Sequence, residues 1–162
     1  MDVDNQAIQN IWSSAMFQNN GKILIDQIRG NGILNSGEFI NSDSIIITGI
    51  GGVMGVLSTG IKLDSTNQGS TAHVGTFNNQ GFISINDSEV GLENEFSTEF
   101  TNEGQIYISN CSQEGLQHQA RAIFLMPSLS TLMMTQITGD PLVIDQEGIV
   151  DISMGAILDI EN

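Results

Sequence analysis

The feature that most constrains the fold is a nonapeptide that returns along the chain. Phe100-Thr-Asn-Glu-Gly-Gln-Ile-Tyr-Ile108 shares its residue types and offsets with Phe77-Asn-Asn-Gln-Gly-Phe-Ile-Ser-Ile85 and Phe17-Gln-Asn-Asn-Gly-Lys-Ile-Leu-Ile25. Phe39-Ile-Asn-Ser-Asp-Ser-Ile-Ile-Ile47 differs only in having Asp43 in place of glycine, and Ile144-Asp-Gln-Glu-Gly-Ile-Val-Asp-Ile152 reads as a worn last copy. The consensus is Phe-x-Asn-x-Gly-x-Ile-x-Ile. The copies start at 17, 39, 77, 100 and 144, separated by 22, 38, 23 and 44 residues. These separations fit a unit of about 22 residues except for the second, which requires an insertion; self-similarity at such a period marks a solenoid.

Each consensus position has a physical reason. Ile-x-Ile is a period-2 pattern that turns both isoleucines to one side of a strand. Phe and β-branched Ile suit a pleated, half-buried surface. Glycine at the fifth position predicts a bend at positive φ, which Asp43 also tolerates. The asparagine is the most informative. In coils spaced about 4.8 Å apart, equivalent side-chain amides can bond up and down a ladder, as in cross-β stacks. Asn19, Asn41, Asn79 and Asn102 are the expected rungs, with Gln146 at the end, and Phe17, Phe39, Phe77 and Phe100 are expected to stack inside. A series of antiparallel hairpins would explain the glycines but not the fixed place of the phenylalanines. A second motif, Gly32-Ile-Leu-Asn35, Gly60-Ile-Lys-Leu63, Gly91-Leu-Glu-Asn94 and Gly115-Leu-Gln-His118, supplies another strand per coil. A coil of this size cannot bury its own apolar side, so neighbours must stack.

The run Gly32-Ile-Leu-Asn-Ser-Gly-Glu-Phe-Ile-Asn41 followed by Ile45-Ile-Ile47 resembles the repeats of secreted bacterial right-handed parallel β-helix proteins, the adhesin-like branch of the pectin-lyase-like architecture. The resemblance covers residues 17–110 well and 111–162 poorly. It implies an extracellular or cell-surface location and a structural or adhesive role. The same superfold hosts polysaccharide lyases and hydrolases, so fold alone fixes no chemistry. The expectation is an all-β parallel β-helix of about six coils. Residues 1–16 form an N-terminal cap, and 17–162 form the β-helix, with an insertion at 48–59 and an irregular coil at 120–143. Ile8, Ile11, Trp12, Ala15 and Met16 have helical spacing, which predicts a short capping helix with Trp12 over Phe17 and Ile23. Such a lid would cover sticky unpaired strand edges.

The chain carries 19 acidic and 4 basic residues, a formal net charge of −15. That field repels phosphates and anionic lipids, so neither nucleic acid nor a lipid surface is expected as partner. No stretch approaches the roughly 20 apolar residues of a membrane span, and the acidic start Met1-Asp-Val-Asp4 does not read as a signal peptide. The single cysteine, Cys111, forms no internal disulfide and reads as apolar filler. His73 and His118 have no ligand-like companions at metal spacing, so neither a metal nor a cofactor is expected.

Enzyme signatures are weak. Ile45-Ile-Ile-Thr-Gly-Ile-Gly-Gly-Val-Met-Gly55 resembles a dinucleotide fingerprint. Gly60, however, leaves no room for the helix that would hold a pyrophosphate, and Asp64 arrives too early for the ribose acid. The four cations Lys22, Arg29, Lys62 and Arg121 lack any lyase motif. Asp43 with Asp64, or Asp87 with Glu89, are the imaginable carboxylate pairs for glycoside hydrolysis. The outward residues Leu24, Ile46, Ser84, Tyr107 and Asp151 form no regular threonine column of the ice-binding kind. Adjacent Met133 and Met134 place one methionine outward. The sequence therefore predicts a non-enzymatic, secreted structural or adhesive module that associates with itself or neighbouring β-helix modules, with surface polysaccharide as a further candidate partner. A carbohydrate-binding or polysaccharide-degrading domain using the outer wall near 48–76 is the alternative, and calcium stiffening a third reading.

Overall fold

The computed structural model describes residues 6–12, 14–51, 57–65 and 75–161. These residues wind as a parallel β-solenoid. The strands follow in triplets: β1 (Ile8–Asn10), β2 (Met16–Asn19), β3 (Lys22–Asp26); β4 (Ile33–Asn35), β5 (Glu38–Asn41), β6 (Ser44–Thr48); β7 (Thr59–Leu63), β8 (Thr76–Asn79), β9 (Phe82–Asn86). They continue as β10 (Val90–Asn94), β11 (Glu99–Asn102), β12 (Gln105–Ser109); β13 (Glu114–His118), β14 (Ile123–Met126), β15 (Thr131–Thr135); β16 (Leu142–Ile144), β17 (Ile149–Ile152), β18 (Ile157–Glu161). The first members of the triplets form one six-stranded sheet, here sheet A; the second form sheet B, and the third sheet C. All pairings are parallel, and the winding from β1 to β16 makes about five turns.

The repeat sets the register. Phe17, Phe39, Phe77 and Phe100 pair in sequence down sheet B, and Phe124 extends the column. Neighbouring rings stack at centroid distances of 4.7, 4.5, 4.8 and 5.3 Å. Ile45, Ile47, Ile83, Ile85, Ile106 and Ile108 fill the opposite wall from sheet C, and Ile33, Ile61, Leu92 and Leu116 close the core from sheet A. A rung cannot bury these side chains by itself; its neighbours above and below do so.

Four sequence expectations are corrected. First, the described residues contain no helix. Ile8–Asn10 is a strand paired with Ile33–Asn35, and Ala7 and Ile8 donate backbone hydrogen bonds to Asn31 and Gly32. The open edge of sheet A offers parallel partners that a helix cannot use, and Trp12 stays 61% exposed. The solenoid thus begins before residue 17. Second, 120–143 is not irregular: β14 and β15 hold register with β11 and β12. Their repeat is hidden because Met126 and Leu132 stand where earlier coils have Asn and Ile. Third, Ile144–Ile152 is not a copy of the nonapeptide. Ile144 pairs with His118 in sheet A, and Val150, not Ile144, lies under the phenylalanine column. Gln146 sits at an exposed corner and is no rung.

The fourth correction concerns glycine. Gly81, Gly104 and Asp43 do not have positive φ. A Cβ on Gly81 would lie 2.0 Å from the Asp43 carbonyl oxygen, and one on Gly104 equally close to that of Gly81. Glycine is needed there because successive coils touch backbone to backbone. The left-handed residues lie elsewhere, in columns. Gln27, Gly49, Asp87, Asn110 and Gln136 each follow the last residue of a sheet C strand, at φ of 52°, 65°, 57°, 53° and 55°. Ser97, Arg121 and Glu147 form a shorter column between sheets A and B. The extra length between Phe39 and Phe77 is also divided. Part lies between β6 and β7, within the expected 48–59, and part between β7 and β8, beyond it.

Candidate functional site

The asparagine column is continuous. Asn19 Nδ2 donates to Asn41 Oδ1 at 2.7 Å, Asn41 to Asn79 at 2.8 Å, and Asn79 to Asn102 at 2.8 Å. Asn102 Nδ2 then donates to the Thr131 carbonyl at 2.8 Å, since Met126 brings no acceptor. Asn79 Nδ2 also lies within 3.3 Å of the Gly81 and Gln105 carbonyls. The amides therefore satisfy the carbonyls of the corner between sheets B and C, which a buried bend would otherwise leave unpaired. All four asparagines are buried. The column is a structural device, closed to solvent from Asn41 to Asn102.

A second column lies at the end of sheet A. Asn10 Nδ2 donates to Asn35 Oδ1 at 2.8 Å; Asn94 Nδ2 meets His118 Nδ1 at 3.2 Å; and His118 Nε2 meets the Ala122 carbonyl at 2.8 Å. A carbonyl accepts only, so Nε2 carries the proton and Nδ1 accepts from Asn94. His118 is fully buried, and burial lowers its pKa. The fourth residue of the second motif supplies this column, but Leu63 and His118 interrupt its asparagines, so the sequence pattern did not single it out. His73 lies outside the described residues.

The most charged cluster sits on the outer face of sheet A. Lys62 Nζ is 3.2 Å from Glu93 Oε2 and 2.7 Å from Glu95 Oε1. Gln119 Nε2 donates to Glu93 Oε1 at 3.1 Å, and Thr59 Oγ1 to Glu93 Oε2 at 3.4 Å. Glu93 is only 8% exposed although its position faces outward. Burial pushes the Glu95 carboxyl above its usual range, opposed by Lys62 and reinforced by Asp64. The Lys62 ammonium is also held high: burial acts against it, and its two glutamates prevail. Lys62 offsets only part of the negative charge. Glu114, on the adjacent strand β13, has one buried carboxylate oxygen without a hydrogen-bond partner, and burial, with Asp140 and Glu93 nearby, raises its pKa. This cluster occupies the described part of the wall near 48–76; residues 52–56 and 66–74 lie outside the described residues, as do Gly52 and Gly55 of the Gly-rich fingerprint.

The imagined acid pairs have other surroundings. Asp43 lies at the corner between β5 and β6, whereas Asp64 follows β7 in sheet A. Glu89 Oε2 accepts from the Ser58 backbone N–H at 2.6 Å, and Asp87 from Asn86 Nδ2 at 2.6 Å, so both serve the corner. Cys111 is buried against Ser88, and burial raises its thiol pKa, the opposite of a reactive thiol. Met134 is buried and Met133 faces outward. Among the described residues no group of three or more His, Cys, Asp or Glu is arranged to hold a metal, and no helix is long and apolar enough to cross a membrane.

The outer face of sheet C carries one aromatic pair. Phe82 and Tyr107 sit 5.5 Å apart, tilted by 36°. Beside Phe82 runs an open groove of about 450 Å³ lined by Asp43, Ser44, Gln80, Glu103 and Gln105, among others. Finally, the last coil is apolar and open. Ile144, Ile149 and Ile157 are 47%, 53% and 55% exposed, and no described strand covers the outer edges of β16, β17 and β18. No protein-family model, curated protein or solved structure matches the chain.

Proposed function

We propose that the chain is a non-enzymatic structural or adhesive β-solenoid module that works outside the cell, at a surface or between neighbouring modules. One observation carries this reading: the repeated side chains point into the core or its corners, and Lys62, the cation of the outward charged cluster, is held by Glu93 and Glu95. A catalytic wall needs titratable groups left free to meet a substrate. Digestion of a panel of neutral and acidic polysaccharides tests this. No new reducing or unsaturated ends are expected; turnover that is lost in Glu95→Gln would overturn it.

A second reading, sugar binding without turnover, rests on Phe82, which lines the groove, and on Tyr107 beside it. Aromatic faces pack against the apolar faces of sugar rings, and the amide, hydroxyl and carboxylate side chains beside them suit sugar hydroxyls. The acidic lining favours uncharged chains over uronates. Affinity electrophoresis through neutral glucans should retard the protein, with the retardation lost in Phe82→Ala and Tyr107→Ala. Unretarded wild-type protein ends this reading.

A further inference from the structure

We propose that the coil β16–β18 of one molecule stacks on the coil β1–β3 of a second copy, with all three sheets continuing in register, and that facing carboxylates weaken this junction at low salt. The proposal deepens the structural reading above and rests on it. Three observations carry it.

The strand lengths match. β16, β17 and β18 have 3, 4 and 5 residues, and so do β1, β2 and β3. The inner coil β4–β6 has the same lengths, so a second copy offers each open edge a partner that continues the repeat.

The pattern of side chains matches as well. Strand-on-strand alignment sets Leu142 over Ile8, Val150 over Phe17, Leu158 over Ile23 and Ile160 over Ile25. Ile8, Phe17, Ile23, Leu142, Val150 and Leu158 are half-buried core members with a described strand neighbour on one side only. On the outer wall Ile149 would lie over Met16, which is 63% exposed. The aromatic and aliphatic columns would run through the junction as they run through the molecule. Such a contact is head-to-tail, so it does not close and produces rods.

The third observation is one row of outward residues on sheet C: Asp26, Thr48, Asn86, Ser109, Thr135 and Glu161 in register. Within the molecule these pair favourably: Thr48 donates to Asp26 at 2.8 Å, and Ser109 to Asn86 at 2.8 Å. Acids occupy only the two ends. Stacking brings Glu161 of one copy against Asp26 of the next, about 4.8 Å apart along the sheet. Like charges directly opposite destabilise a strand pair, and the net charge of −15 on each copy adds to the repulsion. Salt reaches this solvent-facing pair, so association is expected to strengthen as the screening length falls from about 10 Å at 0.1 M to about 3 Å at 1 M.

Two sets of variants of the full 162-residue chain test the junction. All alter outward positions, and thermal melts verify their folding. In sedimentation velocity at low salt, Glu161→Lys should associate about tenfold more tightly than wild type, and Asp26→Lys/Glu161→Lys should lose that gain. For register, an equimolar mixture of Leu24→Cys and Asp159→Cys chains should cross-link under mild oxidation, because those residues face each other across the junction. A mixture of Leu24→Cys and Glu161→Cys should not. Glu161→Lys that remains monomeric at every salt concentration, or equal cross-linking of the two mixtures, overturns the proposal. Either result leaves the non-enzymatic reading standing, since the polysaccharide digestion decides that one.

Discussion

Asn79 shows how much one side chain can carry in a repeat. Its removal strips the Asn41 amide of an acceptor and the Asn102 carbonyl of a donor, and exposes two corner carbonyls to the same loss. Buried polar groups left unpaired cost about 1–3 kcal/mol each. Asn79→Ala should therefore lower unfolding free energy by about 3 kcal/mol or more in urea titration. Asn78→Ala, one residue away, should cost under about 1 kcal/mol, because the Asn78 side-chain Oδ1 has no partner to lose. His118 gives a pH-dependent counterpart. Protonation would turn an N–H at Nδ1 against the Asn94 amide, and burial already lowers the folded pKa, with nearby Asp145 opposing. The unfolded imidazole takes up its proton near 6.5. The stabilisation is thus complete above that pH and is lost as pH falls below it toward the folded value. His118→Asn should keep the amide column and flatten the urea midpoint between about pH 7 and 5 relative to wild type. The first ladder was legible because its Asn recurs at one offset from Phe. The second was not: Leu63 and His118 break the amide pattern, and nothing in the chain announces that a histidine will take an amide's place.

At the scale of strands and corners, alternation and β-branching announced the strands, while the corners were misread. Glycine was assigned to left-handed bends, yet the sheet C bends use Gln27, Asp87, Asn110 and Gln136. The glycines relieve crowding between coils, a contact made by residues about one period apart and invisible to local propensity. A left-handed conformation costs an ordinary L-residue about 1–2 kcal/mol. Gln136→Gly should therefore raise the melting free energy by up to about 1 kcal/mol, the gain being reduced by the extra freedom of glycine when unfolded. The helix predicted near residues 5–16 failed for a related reason: its apolar spacing fits two strand segments and a bend as well as it fits a helix, and the open edge of sheet A decides between them. Lys62 ties two rungs of that same sheet. Lys62→Met leaves the buried Glu93 and half-buried Glu95 uncompensated. Partial exposure reduces the penalty from that of a fully buried pair to about 1–3 kcal/mol at pH 7. Burial already raises Glu95, and loss of the cation raises it further. Its protonation then favours the fold at low pH, a contribution lost as pH rises through the folded pKa. The deficit of Lys62→Met should shrink as pH is lowered from 7 toward 5, measured by urea midpoints of both proteins.

For the whole molecule, the period fixed the architecture long before any single contact did, because only stacking buries a coil of this length. What the period could not reveal is how stability is distributed along the axis. Each rung touches only its neighbours, so the solenoid behaves as a nearly one-dimensional array. Inner rungs are packed on both sides: Phe39, Phe77 and Phe100 have at most 1% exposure. Outer rungs are packed on one side, with Phe17 and Val150 only partly buried and Ile149, Ile152 and Ile157 open to water. The sheets share these rungs, so opening should proceed from the ends and take all three strands of a coil together. Native-state hydrogen exchange resolves such steps by their opening free energies. Amides of β8, β9, β11 and β12 are expected to exchange only through global unfolding. Those of β16, β17 and β18 should exchange at least about a hundredfold faster, with β1, β2 and β3 between. If end-to-end stacking occurs, high salt should slow exchange at the two terminal coils and leave the central rungs unchanged. A single exchange rate throughout the described strands would show instead that the coils unfold as one unit.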